Sequence, residues 1–162
     1  MISRILVALD GSERAPGVFA AAVELAARFR ATLQPFRAVT VPPEFPAAAA
    51  GSRPDPLAAH LFERAEEELA NIVSSAPSGL HVARPIVRFG QPWRLILLVS
   101  DEMDADLIVV GSHGYHGLDR ILGTTAARVA NVSRRNVLVV HGRSDRAEHV
   151  EAAEGPYRQP PR

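Results

Sequence analysis

Short apolar runs alternate with helical periodicity from one end of the chain to the other. "RILVALD" (4–10) is nearly continuous in apolar residues, the pattern of a strand buried on both faces. After it, Phe19, Ala22, Val23, Ala26 and Ala27 recur at i, i+3, i+4, i+7 and i+8 and so share one helical stripe. Ser12 stands where an N-cap is expected, and Pro16 suits the first turn. "FRAVTV" (36–41) predicts the second strand, starting just after Pro35, because proline cannot donate to a ladder. The next helix carries Leu61, Ala65, Leu69, Ile72 and Val73 on its buried face. "VARPIVRF" (82–89) predicts a third strand, which Pro85 assigns to a sheet edge.

"GQPWRLILLVSDEMDA" predicts a turn and a proline-initiated helix that leads into "DLIVV" (106–110), the fourth strand. A helix near 124–134 then precedes "NVLVV" (136–140), the fifth. Five strands alternating with four helices imply an α/β fold, with a mostly parallel sheet covered on both faces. Right-handed crossovers limit it to doubly wound arrangements. The Pro- and Ala-rich stretch 42–56 is long for a loop and is expected to be a flexible lid or insert. The tail from 142 to 162 has little apolar content and is expected to be disordered, leaving one domain over 1–141.

Composition narrows the function classes. At 162 residues a single fold buries roughly 70% of the surface its unfolded chain exposes. The chain has no cysteine, which excludes disulfides, zinc–thiolate sites and thiol catalysis and suits a reducing cytoplasm. No stretch approaches the roughly 20 apolar residues that span a bilayer, and the N-terminus lacks the features of a secretory signal. A soluble cytoplasmic chain is expected. Its 18 basic residues, all arginine, balance 18 acidic ones. Nucleic-acid binders carry a basic excess or stripe, and "SRR" at 133–135 is too short to supply one. Neither a nucleic acid nor a membrane is an expected partner.

Ligands of open α/β sheets bind beyond the carboxyl ends of the strands, where the strand order reverses. Two loops have suitable chemistry: "DGS" (Asp10, Gly11, Ser12) after the first strand and "GSHGYHGLDRILGTTAARVA" (111–130) after the fourth. If these strands are neighbours, both loops open into one crevice. Glycines let backbone approach an anion closely, and a helix N-terminus offers unpaired amides. Thr124 or Thr125 would cap that helix or turn a hydroxyl toward phosphate or its magnesium, and Asp10 would accept hydrogen bonds from ribose. The plainer readings are a turn for the glycines and a dipole-flanking role for Asp10. The stretch is neither a Walker A loop nor the G-x-G-x-x-G fingerprint.

Taken together, "RILVALDGSERAPGVFAAAVELAARF", "FGQPWRLILLVSDEMDADLIVVGSHG" and the closing "NVLVV" resemble the universal stress protein family over roughly residues 3–140. The resemblance implies a five-stranded sheet in the order 3-2-1-4-5. It also implies a homodimer that pairs fifth strands, here Asn136 to Val140. ATP-binding members carry G-x2-G-x9-G-[ST]. Gly111 and Gly114 match its first two glycines, but eight residues separate Gly114 from Gly123. Counting nine instead puts Thr124 at the last glycine and Thr125 at the Ser/Thr position. One residue lost from a helical segment rotates the downstream residues by about 100°. By this resemblance Asp10 contacts adenosine and Ala38 or Val39 offers backbone to adenine. Gly111, Gly114, Gly123 and Thr124 hold phosphates, with Ser112, His113 and Thr125 beside them. The implied function is an ATP-binding, nucleotide-dependent stress-response sensor or regulator. The alternatives are a dimeric interaction module without nucleotide and a slow ATP hydrolase or phosphotransferase, for which no general base is evident.

Other constellations carry less. His113 and His116 lie three apart but lack a third ligand, so no metal site is expected. Ser112, His113 and Asp104 or Asp106 supply the residue types of a hydrolytic triad without the G-x-S-x-G context. Trp93 is expected to pack against the sheet. Arg120 and Arg128 are the arginines placed to reach a triphosphate, Arg120 the better of the two.

Overall fold

The computed structural model describes residues 1–40, 56–112 and 123–141. The expected 42–56 loop, apart from Pro56, and the expected disordered tail lie outside the described residues. The elements are β1 (Arg4–Ala8), α1 (Ala15–Phe29), β2 (Thr32–Val39), α2 (Pro56–Val73), β3 (Ile86–Phe89), α3 (Pro92–Glu102), β4 (Leu107–Gly111), α4 (Thr124–Val132) and β5 (Asn136–Val140). All pairings are parallel and the order is β3-β2-β1-β4-β5, the α/β doubly wound sheet that the sequence predicts. Among the described residues no helix is long and apolar enough to cross a membrane.

Side chains of β1 alternate between two cores. Ile5, Val7 and Leu9 join Phe19, Ala22 and Leu69 of α1 and α2 on one face. Leu6 joins Phe36, Ile108 and Val110 with Ile96, Val99 and Val129 of α3 and α4 on the other. Fully burying a side chain of this size contributes about 1.5–3 kcal/mol. The sheet is therefore filled on both faces, which explains the continuous apolar reading of β1 and β4. On α1 the buried stripe is Ala15, Val18, Phe19, Ala22 and Ala26, whereas Ala27 is exposed. Helix α1 starts at Ala15 after Arg14, with Pro16 in its first turn, so Ser12 is not the N-cap. The Ser12 hydroxyl instead donates to Asp10 Oδ1 at 2.6 Å.

Strand β2 begins at Thr32, earlier than the proline rule predicts, and Pro35 lies inside it in register with Val7. The neighbouring chain explains this. Leu33 donates to the His81 carbonyl at 2.9 Å and accepts from Ala83 N at 2.8 Å. Two residues on, position 35 faces the same neighbour. Pro35 has no N–H, and neither has Pro85 opposite. The Gln34 amide covers the gap, donating to the carbonyls of Pro35 (3.0 Å) and Arg84 (2.7 Å). Leu33 faces Val82 whereas Phe36 faces Ile86, so the partner segment holds one extra residue, a bulge at Pro85. β3 is a sheet edge, as Pro85 predicts.

The opposite end of the sheet, where β1 and β4 begin, is pinned by one carboxylate. Asp106 Oδ2 accepts from Ser3 N (2.8 Å), Ser3 Oγ (2.8 Å) and Arg4 N (2.9 Å). The Asp106 amide donates to the Arg4 carbonyl at 2.9 Å, and Asn136 Nδ2 donates to the Asp106 carbonyl at 3.1 Å. Donation from the Ser3 backbone, then the Ser3 hydroxyl and the Arg4 backbone, holds the Asp106 carboxyl at about 2, below its ordinary 3.8. The folded pKa is depressed, so this stabilisation is complete above the unfolded value and disappears as pH falls through the folded one. Asp106→Asn is expected to lower stability at neutral pH. In urea titrations across pH, the gap between wild type and variant should close between pH 4 and 2; a constant gap would contradict the assignment.

Candidate functional site

Chain direction decides where a ligand can sit. β1 crosses over to β2 on one side and β4 to β5 on the other, so the loops after β1 and β4 diverge. Between them opens a crevice of about 430 Å³, within the usual range for small-molecule sites. Ala8, Leu9, Asp10, Ser12 and Arg14 line it from the β1 side. Val110, Gly111 and Ser112 line it from the end of β4, and Gly123, Thr124 and Thr125 from the start of α4. Phe36, Ala38, Val18, Pro92 and Ile96 form an apolar floor and wall. The structure thus gathers Asp10, Ala38, Gly111, Ser112, Gly123, Thr124 and Thr125 around one space. Val39 is not among the lining residues; it is buried, and its carbonyl accepts from Gly90 N at 3.0 Å. His113 and Gly114 lie outside the described residues, as do His116 and Arg120.

Each loop has a local cause. Asp10 is exposed, and its Oδ1 accepts from both Ser12 N (3.1 Å) and Ser12 Oγ (2.6 Å), closing a tight turn. Gly11 passes over Arg37: a Cβ there would stand 2.7 Å from Arg37 Nη2. Arg37 is held in turn by Glu68 at 2.6 Å, and Glu68 also accepts from Arg64 at 2.8 Å. These two guanidiniums, Arg37 foremost, hold the Glu68 carboxyl below its usual range. At Gly111 a Cβ would meet Val18 Cγ2 at 3.0 Å, so glycine lets α1 approach the end of β4.

Ser112 is fixed through its backbone and unpaired through its side chain. Its N–H donates to the Val140 carbonyl at 2.9 Å, and its carbonyl accepts from Arg14 Nη1 at 3.3 Å. The residue is 7% exposed, yet its hydroxyl has no hydrogen-bond partner among the described residues. An unsatisfied buried hydroxyl costs about 1–3 kcal/mol. The start of α4 adds backbone donors. Gly123 is its N-cap and supplies no side-chain bond, while Thr124 and Thr125 lie within the helix, so neither threonine caps it. The backbone amides of a helix's first turn favour an anion.

The other constellations separate. Asp104 and Asp106 precede β4 and Ser112 follows it, so a triad joining them is excluded by roughly 3.3 Å of rise per residue along the strand. Trp93 packs partly buried against the second core, as expected. Arg94 and Arg128 stack over its ring at 5.2 and 5.6 Å, and Arg128 does not line the crevice. Its Nε1 is buried with no partner among the described residues. No cluster of three or more metal-ligating side chains occurs among them. Among the described residues, the arginine that lines the crevice is Arg14, which was not anticipated. A signal existed: a basic residue at the positive end of a helix dipole opposes it by about 0.3–1 kcal/mol and calls for another reason.

The sequence matches the universal stress protein family over residues 1–141. It is 32% identical over 143 residues to universal stress protein A homolog 1 of Coxiella burnetii, an alignment covering 84% of this chain and 94% of that protein. A crystal structure of a universal stress family protein from Burkholderia pseudomallei has a TM-score of 0.62 at 28% identity, covering 86% of this chain and 96% of that one. A universal stress protein solved in complex with cAMP has a TM-score of 0.58 at 25% identity, covering 86% and 97%. The strand order, the crevice at its reversal and these likenesses agree: the chain belongs to the universal stress protein family.

Proposed function

We propose that this chain is a cytoplasmic adenine-nucleotide-binding regulator that holds ATP, with or without Mg²⁺, in the crevice between β1 and β4. The observation that carries the reading is the convergence on one cavity of Asp10, of Ser112, whose hydroxyl has no partner among the described residues, and of the start of α4. Asp10 accepts from ribose hydroxyls, the backbone at Ala38 meets adenine beside the apolar wall, and the Gly111–Ser112 and Gly123–Thr125 segments receive phosphates. His113 and Gly114 complete the second loop in this reading. The similar protein solved with cAMP supports an adenine ligand as the class. Bound nucleotide stabilises the folded state and so shifts the population of surfaces offered to a partner.

The same reading includes a homodimer through β5. That strand ends the sheet, and Leu138 on it and Val132 on α4 are exposed apolar residues. A bare apolar edge favours pairing with another chain. A second reading, a dimeric interaction module without nucleotide, is favoured by one feature, the eight residues between Gly114 and Gly123.

Two measurements check these statements. ATP with magnesium at 100 times its dissociation constant should stabilise the protein by about 2.7 kcal/mol, which raises Tm by several degrees. Asp10→Ala should weaken adenosine and ATP binding alike, by about tenfold. No shift with millimolar ATP would favour the interaction module. Light scattering after size exclusion should give twice the 17.5 kDa chain mass for wild type and one chain mass for Leu138→Arg. A monomeric wild type would refute the edge pairing.

A further inference from the structure

We infer that the outer surface of α3 and α4 around Trp93 is a docking site for an acidic peptide segment of a partner protein. Arg94 on α3 and Arg128 on α4 both lie over the Trp93 ring, 5.2 and 5.6 Å from its centroid. One half-buried indole thus gathers two exposed guanidiniums from two helices. Neither arginine has a hydrogen bond or an ion pair with a described residue. Arg28, Arg37, Arg88 and Arg135, by contrast, each hold a carboxylate. None of Trp93, Arg94, Leu98 and Arg128 lines the crevice, so the surface stands apart from the nucleotide reading.

Its charge is one-sided. Residues 92–100 and 124–132 hold two arginines and no acidic residue, in a chain whose charges balance. Attraction of a guanidinium to an aromatic ring is electrostatic and consumes none of its N–H donors. Two like charges over one ring repel each other, and a pair of carboxylates relieves both. Each guanidinium can take a carboxylate through paired donors in a planar fork. Leu98 lies one turn beyond Arg94 on the same side of α3 and is 49% exposed, which suits an apolar side chain next to those carboxylates. Tryptophan and arginine are also the residue types that carry most binding energy at protein interfaces. Nucleic acid fits less well, because Leu98 offers phosphate nothing and the chain lacks a basic excess.

Trp93 is the single tryptophan of the chain, so its emission reports on this surface. The probe is a labelled synthetic helical peptide with glutamates at i and i+4 and a leucine one turn on, and its control replaces both glutamates by glutamine. Titrated into the full chain, the glutamate peptide should change Trp93 emission saturably and bind about tenfold more tightly than the control. In the double variant Arg94→Gln, Arg128→Gln its affinity, read by anisotropy of the label, should fall about tenfold or more, and in Arg94→Lys, Arg128→Lys by less. Equal binding of the two peptides, no binding of the glutamate peptide, or binding that the glutamine substitutions leave unchanged would each overturn the inference. Tighter binding of a single-stranded oligonucleotide than of the peptide would assign the surface to nucleic acid and overturn it. Self-association lost in the double variant, without peptide binding, would assign it to a second copy and do the same. Leu98→Asp, which sets a negative charge against the peptide, should weaken binding as well and decides the matter if the double variant does not fold.

Discussion

The parallel pairing of β1 with β2 on one side and β4 on the other organises the rest of the molecule. A parallel strand must hand the chain to a crossover helix, and β1 and β4 hand it to opposite faces of the sheet. Their side chains are buried on both faces, so the pair cannot shift register without exposing apolar groups. At one end Asp106 fixes the start of both strands through three hydrogen bonds. At the other end the chain has no choice but to separate. The crevice is the geometric remainder of that separation, and the residues just beyond Ala8 and Gly111 become its walls.

Side chains at the crevice divide the tasks that the backbone cannot meet. Asp10 stabilises its own turn through Ser12, and Arg37, paired with Glu68, lies where a side chain at Gly11 would begin. Ser112 is different. Both backbone groups are engaged, its hydroxyl is buried, and nothing among the described residues pairs with it. Buried hydroxyls are ordinarily paired, and the residue that carries this one lines the crevice together with the first turn of α4.

Most of the fold was legible because its signals are local and periodic. Two-face burial made β1 and β4 read as short apolar runs, and Pro85 correctly marked β3 as an edge. Pro35 misled for an instructive reason: the proline rule assumes a regular neighbour. Here the missing donor faces a bulged segment, and the Gln34 side chain supplies the bonds. Ser12 misled because its hydroxyl had a nearer partner in Asp10 than in a helix amide. The site was half legible. Residues adjacent in sequence to strand ends could be named from the pattern, whereas Arg14 enters through side-chain reach across the sheet, which no spacing encodes. The Arg37–Glu68 pair, 31 residues apart, was invisible for the same reason.

The bulge at Pro85 has a consequence at the scale of assembly. A sheet has two rims, and this one is asymmetric: β5 ends it with five uninterrupted residues, β3 with four that follow an irregular, proline-bearing approach. A short, kinked rim is a poor template for an incoming strand. Among the described residues the sheet therefore has one regular rim and one blunted one. Were two such sheets to join at the β5 rim, both remaining ends would be β3 rims, which resist extension.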